Sequence, residues 1–147
     1  MTIAPISVEQ ARSIRRLVLK PGLPDAESVY AGDDSPDTIH LGAFESGRLL
    51  GIATFLHDRC PVEGRAGDWR LRGMATLAAV RGRGIGGELL ESGVERAAHA
   101  GAARIWCNGR ITARPFYERH QFRAVGEEFE IPFTGPHYLF VRDLHAS

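Results

Sequence analysis

Three features of the 147-residue sequence predict an α/β fold. Segments with apolar residues at helical spacing alternate with short apolar runs of strand character. A glycine-rich turn joins one of those runs to a long amphipathic stretch. The length suits a single domain, residues 1–147, able to bury a core without disulfides or metals.

The elements follow in order. Ser7 and Gln10 form a capping box, and Val8, Ala11, Ile14, Leu17 and Val18 then recur at helical spacing. They predict a first helix over 8–19, stopped by Pro21 and Gly22. The next stretch, PGLPDAESVYAGDDSPDT, carries Asp25, Glu27, Asp33, Asp34 and Asp37 without a Lys or Arg. It reads as a long loop with a helical turn near Glu27, and loops of that length in compact domains are often lids.

IHLGAF, ESGR and LLGIATFL predict a β-hairpin reversed at Gly47. After a glycine-containing loop, WRLRGMATL alternates Trp69, Leu71, Gly73 and Ala75 with Arg70, Arg72, Met74 and Thr76, the pattern of a strand. Ile85, Leu89, Leu90, Gly93, Val94 and Ala97 line one face of a helix whose other face carries Glu88, Glu91, Glu95 and Arg96, and Gly101 closes it. ARIWC reads as a short strand, TARPFYERH as a short helix capped by Thr112, and RAVGEEFEI and HYLFVRDL as two final strands.

Eighteen Lys and Arg balance eighteen Asp and Glu, which argues against a dedicated nucleic-acid binder. No apolar run reaches the ~20 residues of a membrane span. The opening residues lack a basic leader and long apolar core, so the expected location is the cytoplasm. Cys60 and Cys107 are read as reduced thiols, and no residues have metal-site spacing.

The stretch VRGRGIGG, 80–87, holds two phosphate-binding patterns. Gly82, Gly84 and Gly87 spell G-x-G-x-x-G, whereas Arg81, Gly84 and Gly86 spell R-x-x-G-x-G. Both rest on glycines that permit left-handed backbone and on free N–H groups at a helix start. A dinucleotide fold requires an acidic residue about 20 positions later. Here that window reads RIWCNG, and about sixty residues are too few for the second half of such a sheet. No Gly-Lys-Ser or Gly-Lys-Thr follows, which removes the nucleoside-triphosphate loop.

With that pattern in place, ATLAAVRGRGIGGELLESGVERA and ARPFYERHQFRAVGEEF together resemble the GNAT superfamily of N-acetyltransferases. Phe116, Tyr117, Glu118 and Phe122 match the second block, and the similarity runs over roughly 39–144. Arg110 stands where the family often has Asn, with Asn108 two residues earlier; Ala78 replaces a common Pro, and His120 and Gln121 replace Leu-Gly.

The resemblance implies a mixed α+β sheet, splayed at its centre and flanked by helices, with acetyl-CoA as co-substrate. Its diphosphate would rest on the N–H groups of Gly82, Arg83, Gly84, Ile85, Gly86 and Gly87, with Arg81 and Arg83 adding guanidinium contacts. Its pantetheine arm would lie between the strand of Met74, Ala75 and Thr76 and the strand of Asn108. Tyr117 is the candidate proton donor to the departing thiolate, one helical turn beyond Ala113.

For a proton acceptor, His57, Asp58, Glu63, Asp68 and His137 are candidates, and spacing selects none of them. The acidic loop would attract a cationic amine, whereas Arg70, Arg72 and Arg110 would hold an acceptor carboxylate; a small, amino-acid-like amine satisfies both. A non-catalytic acyl-CoA sensor on the same fold, and a transferase acylated on Cys107, are the alternatives. Some family members pair through their final strands, so a homodimer is one expected state.

Overall fold

The structure is a computed structural model that describes residues 1–144. Its strands are β1 (Thr2–Pro5), β2 (Ile39–Glu45), β3 (Arg48–His57), β4 (Asp68–Thr76), β5 (Arg104–Arg110), β6 (Arg123–Ile131) and β7 (Gly135–Asp143). They form one sheet in the order β1-β2-β3-β4-β5-β7-β6. Every neighbouring pair is antiparallel except β4 and β5, so the sheet is mixed as expected. Ser46 and Gly47 both have positive φ, 51° and 77°, the tight reversal that suits the right-handed twist of β2 and β3.

Helix α1 (Val8–Ile14) starts at the capping box anticipated from the sequence, with Ser7 Oγ accepting from Gln10 N and Gln10 Oε1 accepting from Ser7 N. It does not run unbroken to residue 19. A widened π turn, Arg15–Leu19, follows it, closed by Lys20 N donating to Arg15 O at 2.9 Å. Helical spacing cannot reveal that change because the apolar positions continue through it. The loop beyond contains the expected single turn, Asp25–Ser28.

Helix α2 (Ile85–His99) covers one sheet face, where Leu89, Leu90 and Ala97 are fully buried with Phe55, Ile105 and Phe140. Gly93 permits that fit, since a Cβ there would lie 1.9 Å from the Phe55 ring. Helix α1 covers the opposite face, where Ala11 and Ile14 pack on Ile52 and Ala75. Helix α3 (Arg114–Arg119) begins after a 3₁₀ turn, Ile111–Ala113. The proposed Thr112 cap is corrected: Ala113 is the N-cap, no side chain caps the helix, and Pro115 near its start supplies the pre-set φ instead. Strand β1 had no sequence forecast, since four residues beside a sheet edge carry too short a pattern.

Candidate active site

Strands β4 and β5 pair over only three positions, Asp68 with Arg104, Trp69 with Ile105 and Arg70 with Trp106. Beyond Arg70 and Trp106 they part, and a cleft of about 430 Å³ opens between them. A bulge lies on the β4 wall: Thr54 pairs with Arg72 and Ile52 with Ala75, so two residues of β4, Gly73 and Met74, oppose one of β3, Ala53. Gly73 occupies it with φ of 66°, and a Cβ there would come 3.0 Å from Arg15 Nε and 3.1 Å from Tyr30. Met74 and Asn108 line the opposite walls, whereas Ala75 packs its side chain toward α1.

The arginine-led loop begins where β4 ends. Gly82 and Gly84 have φ of 83° and 80°, and the space a Cβ would take at either is empty to 4 Å. Gly84 is the N-cap of α2, which has no side-chain cap. Glu88 N makes the first intrahelical bond, to Gly84 O. The amides of residues 82–87 therefore have no partner among the described residues, and the positive end of a fifteen-residue helix stands behind them. Ile85 anchors this turn in the core. Arg81 donates through Nε to Thr76 O at 3.3 Å. Arg83, expected to face an anion, instead pairs with Glu45 at the end of β2.

Tyr117 lines the cleft from α3 and is 8% exposed. Its ring stacks on Phe140 with centroids 4.5 Å apart and meets Phe116 and Phe122 edge-on. Gly109 makes room for it, because a Cβ there would lie 2.5 Å from the Tyr117 ring. Burial first, then the neighbouring Cys107, raises the phenol well above its usual range, so the hydroxyl keeps its proton at any ordinary pH. Burial likewise pushes the Cys107 thiol up to about 12, which removes the thiolate that an acyl-cysteine route requires.

The α1 side of the cleft is cationic. Arg72 stacks over Tyr30 at 4.2 Å and Arg70 over Trp106 at 4.6 Å. Arg70 pairs with the half-exposed Asp58 at 3.4 Å; Arg72 has no carboxylate within ion-pair distance among the described residues. Burial, then the repulsion of Arg70, lowers the Arg72 pKa. Arg110 follows on the same side, and no acidic side chain among the described residues lines the cleft.

The acidic loop is not a free anionic surface. Asp33 is buried in a bidentate pair with the fully buried Arg15, at 2.7 and 3.0 Å, and Arg12 adds a third contact. Arg15 also donates to Ser28 O and Thr54 Oγ1. The expectation that this loop draws in a cation is thus corrected at Asp33, whose charge is already spent inside the protein. Sequence reasoning missed the pair because its members lie eighteen residues apart with no periodic relation.

Among the base candidates, Asp68 is corrected as well. Burial alone would raise its pKa, but hydrogen bonds from Arg104, Cys60 N and Arg65 N bring it to about 2, so it is a structural anion. His57 is exposed against Trp69, and Glu63 is exposed in the loop before β4. Only His137 lines the cleft.

The chain matches the model of the Acetyltransferase (GNAT) family over residues 9–122. It is 33% identical over 147 residues to the uncharacterized N-acetyltransferase YitI of Bacillus subtilis (strain 168), covering 100% of this chain and 99% of that protein. Its fold is similar to that of an aminoglycoside 6'-N-acetyltransferase solved with coenzyme A, at a TM-score of 0.78 and 14% identity over 100% of this chain and 99% of that one. It is also similar to a GCN5-related N-acetyltransferase from Kribbella flavida, at a TM-score of 0.71 and 22% identity over 97% of each chain. No helix among the described residues is long and apolar enough to cross a membrane. A splayed mixed sheet, an arginine-led glycine turn at the head of α2 and a match across most of the sequence converge: the chain belongs to the GNAT family of acetyltransferases.

Proposed function

We propose that the protein transfers the acetyl group of acetyl-CoA to the primary amine of a small, carboxylate-bearing molecule in the cytoplasm, with Tyr117 as the proton donor. The observation that carries this reading is the meeting of two features at the end of β4. Six consecutive backbone amides without partners among the described residues follow the end of β4, whose last six residues are already parted from β5. Free, convergent N–H groups at a helix start are the chemistry a diphosphate requires. Arg81 stands at the entrance to that turn, while Arg83 reaches an anion there only by leaving Glu45.

The stretch 74–76, which has no pairing with β5, and Asn108 on the other wall suit an extended arm laid in the gap as a further strand. Acetyl-CoA supplies an acetyl group already activated as a thioester. Tyr117 Oη holds the proton that the departing sulfur needs. Its raised pKa is no obstacle: the burial that strengthens the phenol as a base also strengthens a thiolate, as Cys107 shows in the same surroundings.

Arg70, Arg72 and Arg110 make the cleft a poor place for an ammonium ion and a good one for a carboxylate. An amino acid-like acceptor is therefore held by its anionic end while its amine is favoured in the neutral form that attacks. The test is release of free thiol from acetyl-CoA with three acceptor groups: amino carboxylates, polyamines and lysine-containing peptides. Faster turnover of amino carboxylates is expected. Activity confined to peptides or polyamines contradicts the acceptor class, and binding of acetyl-CoA without turnover of any amine identifies a sensor.

A further inference from the structure

We propose that His137 is the general base that takes the proton from the acceptor amine, an inference that rests on the acyl-transfer reading above. Side-chain parity on β5 and β7 supports it. Cross-strand partners share a face, so Trp106 with Val141, Asn108 with Leu139 and Arg110 with His137 lie on the α1 side. Cys107 with Phe140, the residue on which Tyr117 stacks, lies on the α2 side. His137 and Tyr117 therefore approach the same cleft from opposite faces of the sheet. That arrangement suits acyl transfer through a tetrahedral adduct, because one group can take the proton of the amine nitrogen while a different group gives a proton to the sulfur.

The imidazole is also set in the required tautomer. Its Nδ1 lies 2.7 Å from Gly135 O, and a carbonyl only accepts, so Nδ1 carries the hydrogen. In the neutral ring the lone pair is then on Nε2. Nε2 has no hydrogen bond among the described residues and is not among the sealed, unpartnered side-chain atoms, which are Arg12 Nε, Arg15 Nε, Ser28 Oγ and Arg70 Nε. Gly135 holds its carbonyl in place at φ of 91°, and Phe129 of β6 backs the ring at 6.1 Å.

The proton balance closes. As the N–C bond forms, the amine proton passes to Nε2; as the C–S bond breaks, the Tyr117 proton passes to sulfur. Water in the open cleft returns the proton from imidazolium to tyrosinate. The charged and titratable groups around the ring are Arg110 across β5, Arg70, Arg72 and Tyr30 on the far wall, Lys20 after α1 and Glu130 beside it on β6.

Two measurements test the assignment. The first compares wild type with His137→Gln on acetyl-CoA and 4-(aminomethyl)benzoate. The variant should lose roughly 100-fold in kcat and lose the rise of kcat/KM with pH that accompanies imidazole deprotonation, while acetyl-CoA raises its Tm as in the wild type. Unchanged kcat with the pH limb intact overturns the proposal. The second needs no acceptor: nitrogen-15 NMR of the histidine rings should show that the neutral form of His137 is protonated at Nδ1 and bare at Nε2. A ring protonated at Nε2 overturns the assignment whatever the acceptor is. Failure of acetyl-CoA to raise the wild-type Tm speaks instead against the acyl-transfer reading.

Discussion

Replacing Tyr117 with Phe removes one hydroxyl and leaves the ring stacked on Phe140, so the site should keep its shape and lose the proposed proton donor. The expected result is a fall in kcat of roughly 100-fold, with the Tm shift from acetyl-CoA retained. Equal kcat for the two proteins removes Tyr117 from the chemistry. Arg72→Gln tests the proposed hold on the acceptor carboxylate. Loss of one charge-assisted contact is worth about 2 kcal/mol, so KM for an amino carboxylate should rise roughly 30-fold with little change for acetyl-CoA. The position of Tyr117 in the wall of the cleft was legible because it sits in a recognisable run of residues. The pairing of Arg83 with Glu45 was not, because the partners are brought together only by the fold, across thirty-eight residues.

Strands and helices place these groups within tight tolerances. Gly109→Ala would set a methyl 2.5 Å from the Tyr117 ring and 2.8 Å from Phe140, so the proposed donor must move although its own side chain is unaltered. Turnover should fall while affinity for coenzyme A is kept, which titration calorimetry would check. Gly84→Val predicts the reverse pattern. A β-branched residue at φ of 80° is strained by about 1–2 kcal/mol, and relief of that strain moves the free amides, so acetyl-CoA affinity falls first. Helix α2 was readable because fifteen residues give four turns of unbroken apolar periodicity. The end of α1 was not: a π turn keeps the apolar sequence going while changing the hydrogen bonding, and buried Arg15 at that point breaks the rule that charges lie outside.

Across the whole molecule, two buried ion pairs tie distant segments to the sheet. Arg15 with Asp33 fastens the long loop to the π turn after α1, and Arg104 with Asp68 joins β5 to the start of β4 just before the strands part. The Asp68 carboxyl is held at about 2 in the fold against an unfolded value near 3.8, and Asp33 is lowered in the same direction. A depressed carboxylate contributes stability that is present above the unfolded pKa and is lost as pH falls toward the folded one. For Asp68 that amounts to about 2 kcal/mol, disappearing between about pH 4 and about pH 2. Urea unfolding across that window should show the loss. Asp68→Asn should flatten its share of the slope and cost about 3 kcal/mol at neutral pH, since it leaves Arg104 buried without a counter-ion. The mixed sheet and its splay followed from the resemblance carried by two sequence blocks. These pairs did not, since charge counts show balance without showing which charges are buried together.

The most direct measurement is a crystal structure with acetyl-CoA bound. The diphosphate should lie within hydrogen-bond distance of amides in the 82–87 turn, with the pantetheine arm between β4 and β5 and the sulfur facing Tyr117 Oη. A diphosphate bound elsewhere, or an arm lying outside that gap, would contradict the proposed function.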